Sequence, residues 1–518
     1  MGAKFTRRRF LVSAGAGATY LALTNLVGCE PTEQTSKTKR TTASRPAHPS
    51  GAVAYGPQSA PQDGVWSFRS RPDLSPPAVE VPNNDYEEIA PGYVFAAPQR
   101  GDSGQSGSLI VDNQGQVVWF RPMLDVSVRA MNFQMQTYRG KPVLTWKESP
   151  GEYVVFDGSY REIFRFVAAN DFRGDHHEFL ISPQNTALIT IYDPVPQDLS
   201  SVGGKKDGVA VQGIFQELDI ETGHVLLEWH SLEHVGIDES YGKPGQDIDY
   251  PGIDYFHINS IEVDHDNNLL VSARKTSAIY KIDRKTGEVI WRLGGKKSDF
   301  EMGEGTRFAY QHDARRLPDG TISIFDNGKT VFSNGYPKAV EESRVIILDL
   351  DEREMTASLV QEYTHPDGQY AAAAGNAQVL PNGNVFVGWG RARSYSEFRH
   401  DGKLLYDARL RPGNRSYKVF RFPWSAQPNY GPAAAAERTS EGEVTLYASW
   451  NGATEVESWE VLAGPRPDEL ELVGSAPRNG FETTMVIRTT VRYVAARAKN
   501  SSGSVLGTTA SVDTHRQR

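Results

Sequence analysis

The chain has one cysteine, Cys29, in 518 residues. No intramolecular disulfide and no cysteine metal cluster can form from it. Long apolar runs with a 3.6-residue period are scarce, which argues against a helical core. There is no Gly-x-x-x-x-Gly-Lys phosphate loop and no Gly-x-Ser-x-Gly nucleophile elbow, so neither a nucleotide cradle nor an α/β-hydrolase serine is expected. Charges are mixed throughout, and no basic stripe points to nucleic acid as a partner. What the chain does have is 48 Gly, 30 Pro and 10% aromatic residues, the composition of a turn-rich β protein. Its length alone would allow two to four domains, but all-β propellers run to several hundred residues as single domains.

Residues 1–28 read as an export signal. Thr6-Arg7-Arg8-Arg9-Phe10-Leu11 is a twin-arginine motif, and a Gly/Ala-softened apolar stretch follows. The stretch then reaches Leu26-Val27-Gly28-Cys29, the form of a lipoprotein cleavage box. Cys29 is therefore expected to carry a lipid that tethers the protein to the extracytoplasmic face of the cell membrane. Removing Lys4, Arg7, Arg8 and Arg9 would take the net charge from −9 to −13, and an acidic globule has little attraction to anionic lipid beyond its tether. Residues 29–64 are rich in Thr, Ser, Pro and Gln and read as a flexible linker.

From residue 65 a hairpin signature recurs six times, at 109–119, 153–163, 216–226, 279–291, 345–355 and 395–405. In each, an apolar strand meets an Asp-containing turn and a second strand leaves. Five copies follow another strand pair, such as 263–272 or 379–389, so the repeating unit is four antiparallel strands. The first copy lacks its first strand, and the orphan strand 416–422 can supply it. The expected fold is all-β: a six-bladed β-propeller over 65–425, closed by its C-terminal strand. After a Pro/Ala-rich hinge at 423–436, residues 437–513 show period-two alternation and read as a small fibronectin III/Ig-like β-sandwich. No chemistry is evident there.

Three consecutive repeats carry histidine near the same place. The segments are Asp175-His176-His177-Glu178-Phe179, Asp254-Tyr255-Phe256-His257-Ile258-Asn259-Ser260 and Tyr310-Gln311-His312-Asp313-Ala314-Arg315. The innermost strand of a propeller blade lines the channel. Counting back from the second strand puts His177, Asn259 and His312 near one level, with His257 two residues earlier on the same face. The corresponding places in two other blades fall around Asn132 and Asn376. Arg274, at the end of a second strand, can reach the channel mouth and hold an oxyanion. Alternation points Arg315 away. Trp119, Trp229 and Trp291 sit at equivalent fourth-strand positions and read as core. Tyr255, Phe256, Tyr310 and Trp389 flank the channel segments and can stack on an aromatic ligand, with core packing the equal alternative for each.

These segments, together with Phe68-Arg69-Ser70-Arg71-Pro72-Asp73-Leu74, Ser272-Ala273-Arg274-Lys275-Thr276 and a Trp-Arg-Leu-Gly-Gly run at 291–295, resemble the bacterial arylsulfate sulfotransferases. The match is to an exported branch with a short N-terminal region. The resemblance spans roughly 65–425 and implies a six-bladed propeller. It implies ping-pong transfer of a sulfuryl group from a phenolic sulfate ester to a phenol, without a nucleotide sulfate donor, cofactor or metal. It places the transiently sulfated nucleophile at His312 and supporting roles at His177, His257 and Arg274. The chemistry suits these groups. A neutral imidazole is a competent nucleophile near pH 7, and cationic donors stabilise charge spread over three oxygens. Two other readings stay open: three imidazoles can hold a metal in a propeller hydrolase or lactonase, or the channel can bind a ligand without chemistry.

Overall fold

The computed structural model describes residues 53–515 apart from 57–58, 100–103, 126, 247–251, 329–341 and 439–441. The export signal, Cys29 and most of the expected linker lie outside the described residues. The fold is all-β. Six sheets share one plan, in which four strands follow one another as antiparallel neighbours. The second sheet, for example, runs Ala130–Tyr138, Lys141–Glu148, Glu152–Phe156 and Glu162–Phe166. The third begins at Gly174–Ile181, the fourth at Ile258–Val263, the fifth at His312–Arg316 and the sixth at Asn376–Val379. The first sheet takes its innermost strand from the far end of the chain, where Val419–Phe422 pairs antiparallel with Tyr93–Ala96. Val79–Asn84 adds a fifth strand to the outside of the sixth sheet.

The recurring hairpins at 109–119 through 395–405 are the third and fourth strands of these sheets. One device turns them. A carboxylate oxygen of Asp112, Asp157, Asp219, Asp283, Asp351 or Asp401 accepts backbone N–H groups two to four residues on, at 2.8–3.2 Å. The side chain satisfies donors that the tight turn would otherwise orphan. Trp119, Trp229 and Trp291 are buried between sheets.

Two further sheets follow. One joins Glu443–Ser449 to Glu482–Arg488 and Ala433–Arg438; the other is built on Ser458–Arg466 and Tyr493–Lys499. Their facing side chains, including Leu446, Trp459, Met485 and Val494, make a separate core. Two boundaries differ from expectation. Ala433–Arg438, inside the stretch read as a hinge, is a strand, because four small alanines suit a backbone ladder as well as a loop. Ala54–Tyr55, inside the stretch read as a linker, pairs with Met485 and Val486. These sheets also protect an edge. Asn451 accepts from Phe120 N and donates to Phe120 O, both at 2.9 Å, which caps the outer strand Val117–Pro122.

The chain ends are locked by Arg421, whose side chain is fully buried against Glu397, with Nε 2.9 Å from Oε2. Glu397 Oε1 also accepts from Ala90 N at 2.6 Å, and the guanidinium stacks over Phe386 and Tyr406. Arg421→Leu strands a buried carboxylate and is expected to cost about 3–5 kcal/mol. This would be read as a lowered urea midpoint; an unchanged midpoint refutes the lock.

Candidate active site

The first strands of the second to fifth sheets are not regular. Register against the second strand slips between Met131 and Gln134, Gly174 and Phe179, Ile258 and Ser260, and His312 and Arg315. Asn132, His257 and Asp313 take left-handed backbone angles, with φ of 55°, 58° and 53°. Bulges of this kind re-aim side chains. They produce a repeated pairing along the chain. His177, His312 and Tyr417 face one another, while the next residue of each, Glu178, Asp313 and Lys418, enters a buried charge cluster.

In that cluster Arg315 contacts Glu178 at 2.5 Å, Asp313 at 2.7 Å and Glu262 at 3.0 Å. Lys418 contacts Asp313 at 2.9 Å and Glu178 at 3.3 Å. Asn132 Nδ2 donates to Glu178, and Ala377 N donates to Asp313, both at 3.2 Å. The first strands of the second to sixth sheets thus converge on one point, and Lys418, which leads into the closing strand, adds the first sheet. Burial alone would raise Asp313, but Arg315 and Lys418 hold it below the usual carboxylate range. Arg315 therefore points to the axis. The expectation that it faces away assumed strict alternation, which the bulge at Asp313 breaks.

His312 is 1% exposed. Asn327 sets its tautomer. Asn327 Nδ2 donates to the carbonyls of Ala371 and Ala374 at 2.9 Å each, so its Oδ1 must accept, at 2.6 Å, from His312 Nδ1–H. The lone pair then lies on Nε2, where it accepts a long hydrogen bond from Ala374 N–H at 3.3 Å. Burial, then the charge of Arg274, push His312 well below the ordinary histidine value, so the ring is neutral at pH 7.

The other two imidazoles are oriented by carboxylates. His177 Nδ1 meets Asp175, and His257 Nδ1 meets Asp254. Their ring centres stand 4.9 Å apart, edge to face. Burial lowers His177 to about 3, outweighing Asp175. Arg274 reaches the same place: its Nη2 donates to Ala372 O at 3.1 Å, two residues from the Ala374 that meets His312. Its guanidinium lies 4.5 Å from the ring centre of Tyr310. Its Nε is buried with no hydrogen-bond acceptor among the described residues. Two neutral imidazoles, a third imidazole oriented by Asp254, and a guanidinium with a spare donor stand together here, an arrangement suited to chemistry on an anionic group.

The family model described as arylsulfotransferase (ASST) matches residues 134–411, more than half of the chain. The chain belongs to the arylsulfotransferase family. No curated protein matches it. Among solved structures, a protein of unknown function from Bacteroides caccae is 12% identical and has a TM-score of 0.39, covering 64% of this chain and 98% of that one. A catalytically inactive virginiamycin B lyase from Staphylococcus aureus, solved with quinupristin, is 8% identical with a TM-score of 0.34, covering 79% and 98%.

In this arylsulfotransferase family member the structure gathers His177, His257, His312 and Arg274, with Tyr310 beneath the arginine. Asn259 is fully buried; its Nδ2 donates to Gln311 O at 2.6 Å, which positions the segment carrying His312, and its Oδ1 has no partner among the described residues. Three aromatic candidates are elsewhere. Tyr255 and Phe256 are buried in the core of the third and fourth sheets, where Tyr255 donates to Ser231 Oγ at 2.7 Å. Trp389 is buried against Phe325 and Phe398 and donates to Ser396 Oγ at 3.0 Å. Closeness in sequence to channel histidines does not carry these rings across the sheet face.

Two residues escaped the sequence reading. Asn327 sits in Asp326-Asn327-Gly328, which looks like an ordinary turn. Tyr417 comes from the chain's far end; its ring meets those of His176, His177 and His312 at 5.3, 5.4 and 6.2 Å.

Burial pushes Asp254 up to about 6. As pH falls through 6 it takes a proton, and His257 Nδ1–H loses its carboxylate acceptor. Sulfotransferase kcat/KM should therefore fall below pH 6. Asp254→Asn should flatten that acidic limb in a pH–rate profile while lowering the plateau. An unaltered limb in the variant assigns it to another group.

Proposed function

We propose that this protein transfers a sulfuryl group from a phenolic sulfate ester to a phenol through a sulfated His312, without a nucleotide donor. The observation that carries the reading is the lone pair on His312 Nε2, held there by Asn327 and kept neutral by burial, beside the unpaired Nε of Arg274.

The donor's sulfate lies against Arg274, which faces the charge on its three oxygens. His312 Nε2 attacks sulfur; the sulfur–nitrogen bond forms as the bond to the phenolic oxygen breaks. In the second half-reaction the acceptor phenol gives its proton to His257 Nε2 while its oxygen takes the sulfuryl group from His312. The proton on His257, stabilised by Asp254, goes to the leaving phenolate of the next donor. His177 and Tyr417 wall the reacting group.

We also read the six sheets as blades of one propeller closed by Val419–Phe422, and the last two sheets as a fibronectin III/Ig-like sandwich. The twin-arginine motif and Cys29 support export and a lipid tether on the extracytoplasmic face.

His312→Ala is expected to abolish transfer from an aryl sulfate to phenol, and Arg274→Ala to lower kcat about 10²–10³-fold. Mass spectrometry of protein quenched with an aryl sulfate should find a sulfate adduct on His312; an adduct elsewhere, or full activity of His312→Ala, rejects the nucleophile. One observation favours a second reading, a metal-assisted hydrolase: Asp175, His176 and His177 bring ligand atoms within 4.8 Å of one another. Stoichiometric metal in the purified protein, with activity lost to chelator, would favour it.

A further inference from the structure

The chain carries a net charge of −9, yet the rim over the histidines is lined by arginines. Arg391 N donates to Ala373 O at 3.3 Å, between Ala372, which takes Arg274, and Ala374, which meets His312. Arg415 precedes Tyr417 by two residues. Its carbonyl accepts from Gln99 N at 2.8 Å, and its Nε lies 3.5 Å from Gln99 Oε1. Gln99 Nε2 in turn lies 2.7 Å from Met131 Sδ, and Met131 packs with Ala374 and Tyr417. Arg129 stands two residues before Met131 and is held through its backbone N–H by Ser149 Oγ at 2.8 Å. The three arginines come from the connections of three sheets and are close enough to one another for Arg391 and Arg129 to act on Arg415.

None of the three has a carboxylate within ion-pair distance among the described residues. Elsewhere the chain pairs its arginines freely: Arg165, Arg316, Arg344 and Arg399 each hold two or more carboxylates. The rim arginines also feel one another. Arg415 is pulled down by burial and then by Arg391 and Arg129, and Arg391 acts on Arg274 as well. Like charges gathered without counter-ions in an acidic protein disfavour the empty site and favour an anion there. The sulfate itself is already met by Arg274, so these three cations are left for another group.

We propose that the rim holds a second anionic group of the aromatic substrate, a carboxylate or a second sulfate, while the transferable sulfate sits at His312. The preferred ligands are then aryl sulfates with at least two negative charges, clamped at both ends of the ring. This rests on the sulfuryl-transfer reading for the role of the first sulfate. A planar guanidinium suits either anion through paired hydrogen bonds.

The test compares binding of phenyl sulfate and 4-carboxyphenyl sulfate by calorimetry, using full-length His312→Ala so that no transfer intervenes. The comparison is repeated with Arg391→Ala and Arg415→Ala added. The dianion should bind about ten-fold tighter, as expected from several exposed contacts acting together. That advantage should vanish in the triple variant and shrink at high salt. Equal binding of the two compounds, no binding of either, or an equal loss for both on removing the arginines overturns the proposal. The two readings fail separately. A sulfate adduct on wild-type His312 without a dianion preference leaves transfer standing and removes the rim's role; a dianion preference without any adduct does the reverse.

Discussion

Two carboxylates and a lysine, Glu178, Asp313 and Lys418, are fully buried together, and the partly exposed Arg315 and Glu262 complete the cluster. Glu178, Asp313 and Glu262 are acceptable there because Arg315 and Lys418 reach them, and the five groups arrive from four sheets, Asp313 and Arg315 sharing one strand. A buried ionic cluster of this kind adds little net stability compared with an apolar plug. What it does impose is that its members arrive together. Lys418 is the last to come, because it leads into the closing strand. Without it three carboxylates face one guanidinium, so closure of the first sheet and neutralisation of the axis are the same event.

The functional site depends on that cluster through single peptide bonds. His177 is joined to Glu178, His312 to Asp313 and Tyr417 to Lys418. Anchoring the second residue of each pair in the ionic floor leaves the first little freedom of direction, and the bulged backbone turns it to the opposite side. His177 and His312 are therefore oriented twice, once by the floor and once by the hydrogen bonds their Nδ1 atoms make to Asp175 and Asn327, while His257 is oriented by Asp254 alone. Burial then keeps His312 and His177 neutral, which suits a nucleophile. Arg274 is held in the same surroundings as a charge without a counter-charge at its Nε. These residues lie within the stretch, 134–411, that matches the arylsulfotransferase family, except Tyr417 and Lys418.

Much of the architecture was legible because its signals are local. The Asp turns of the six hairpins involve residues two to four apart, and the polar/apolar alternation of the last two sheets spans single strands. The histidine segments were legible too, since they recur at one place in the repeat. The errors came where a local rule met a tertiary one. Arg315 was turned away by counting alternate residues, and the bulge at Asp313 reversed it. Tyr255, Phe256 and Trp389 were set near the ligand for their closeness in sequence, whereas packing between sheets claimed them. Ala433–Arg438 looked like a hinge because alanine carries no strand preference of its own; its neighbour Glu443–Ser449 supplies the ladder.

By itself the sequence determined a β repeat with Asp-bound hairpins, an orphan strand near the end, and histidines at matching places in three inner strands. Those are properties of short segments, set by turn chemistry and side-chain period. Only the tertiary structure decided which of those histidines would be buried, neutral and held with its lone pair on Nε2. That outcome needs Asn327 from a neighbouring strand, Tyr417 from the chain's far end and exclusion of water by the whole assembly. None of these has a signature within reach of His312 along the chain.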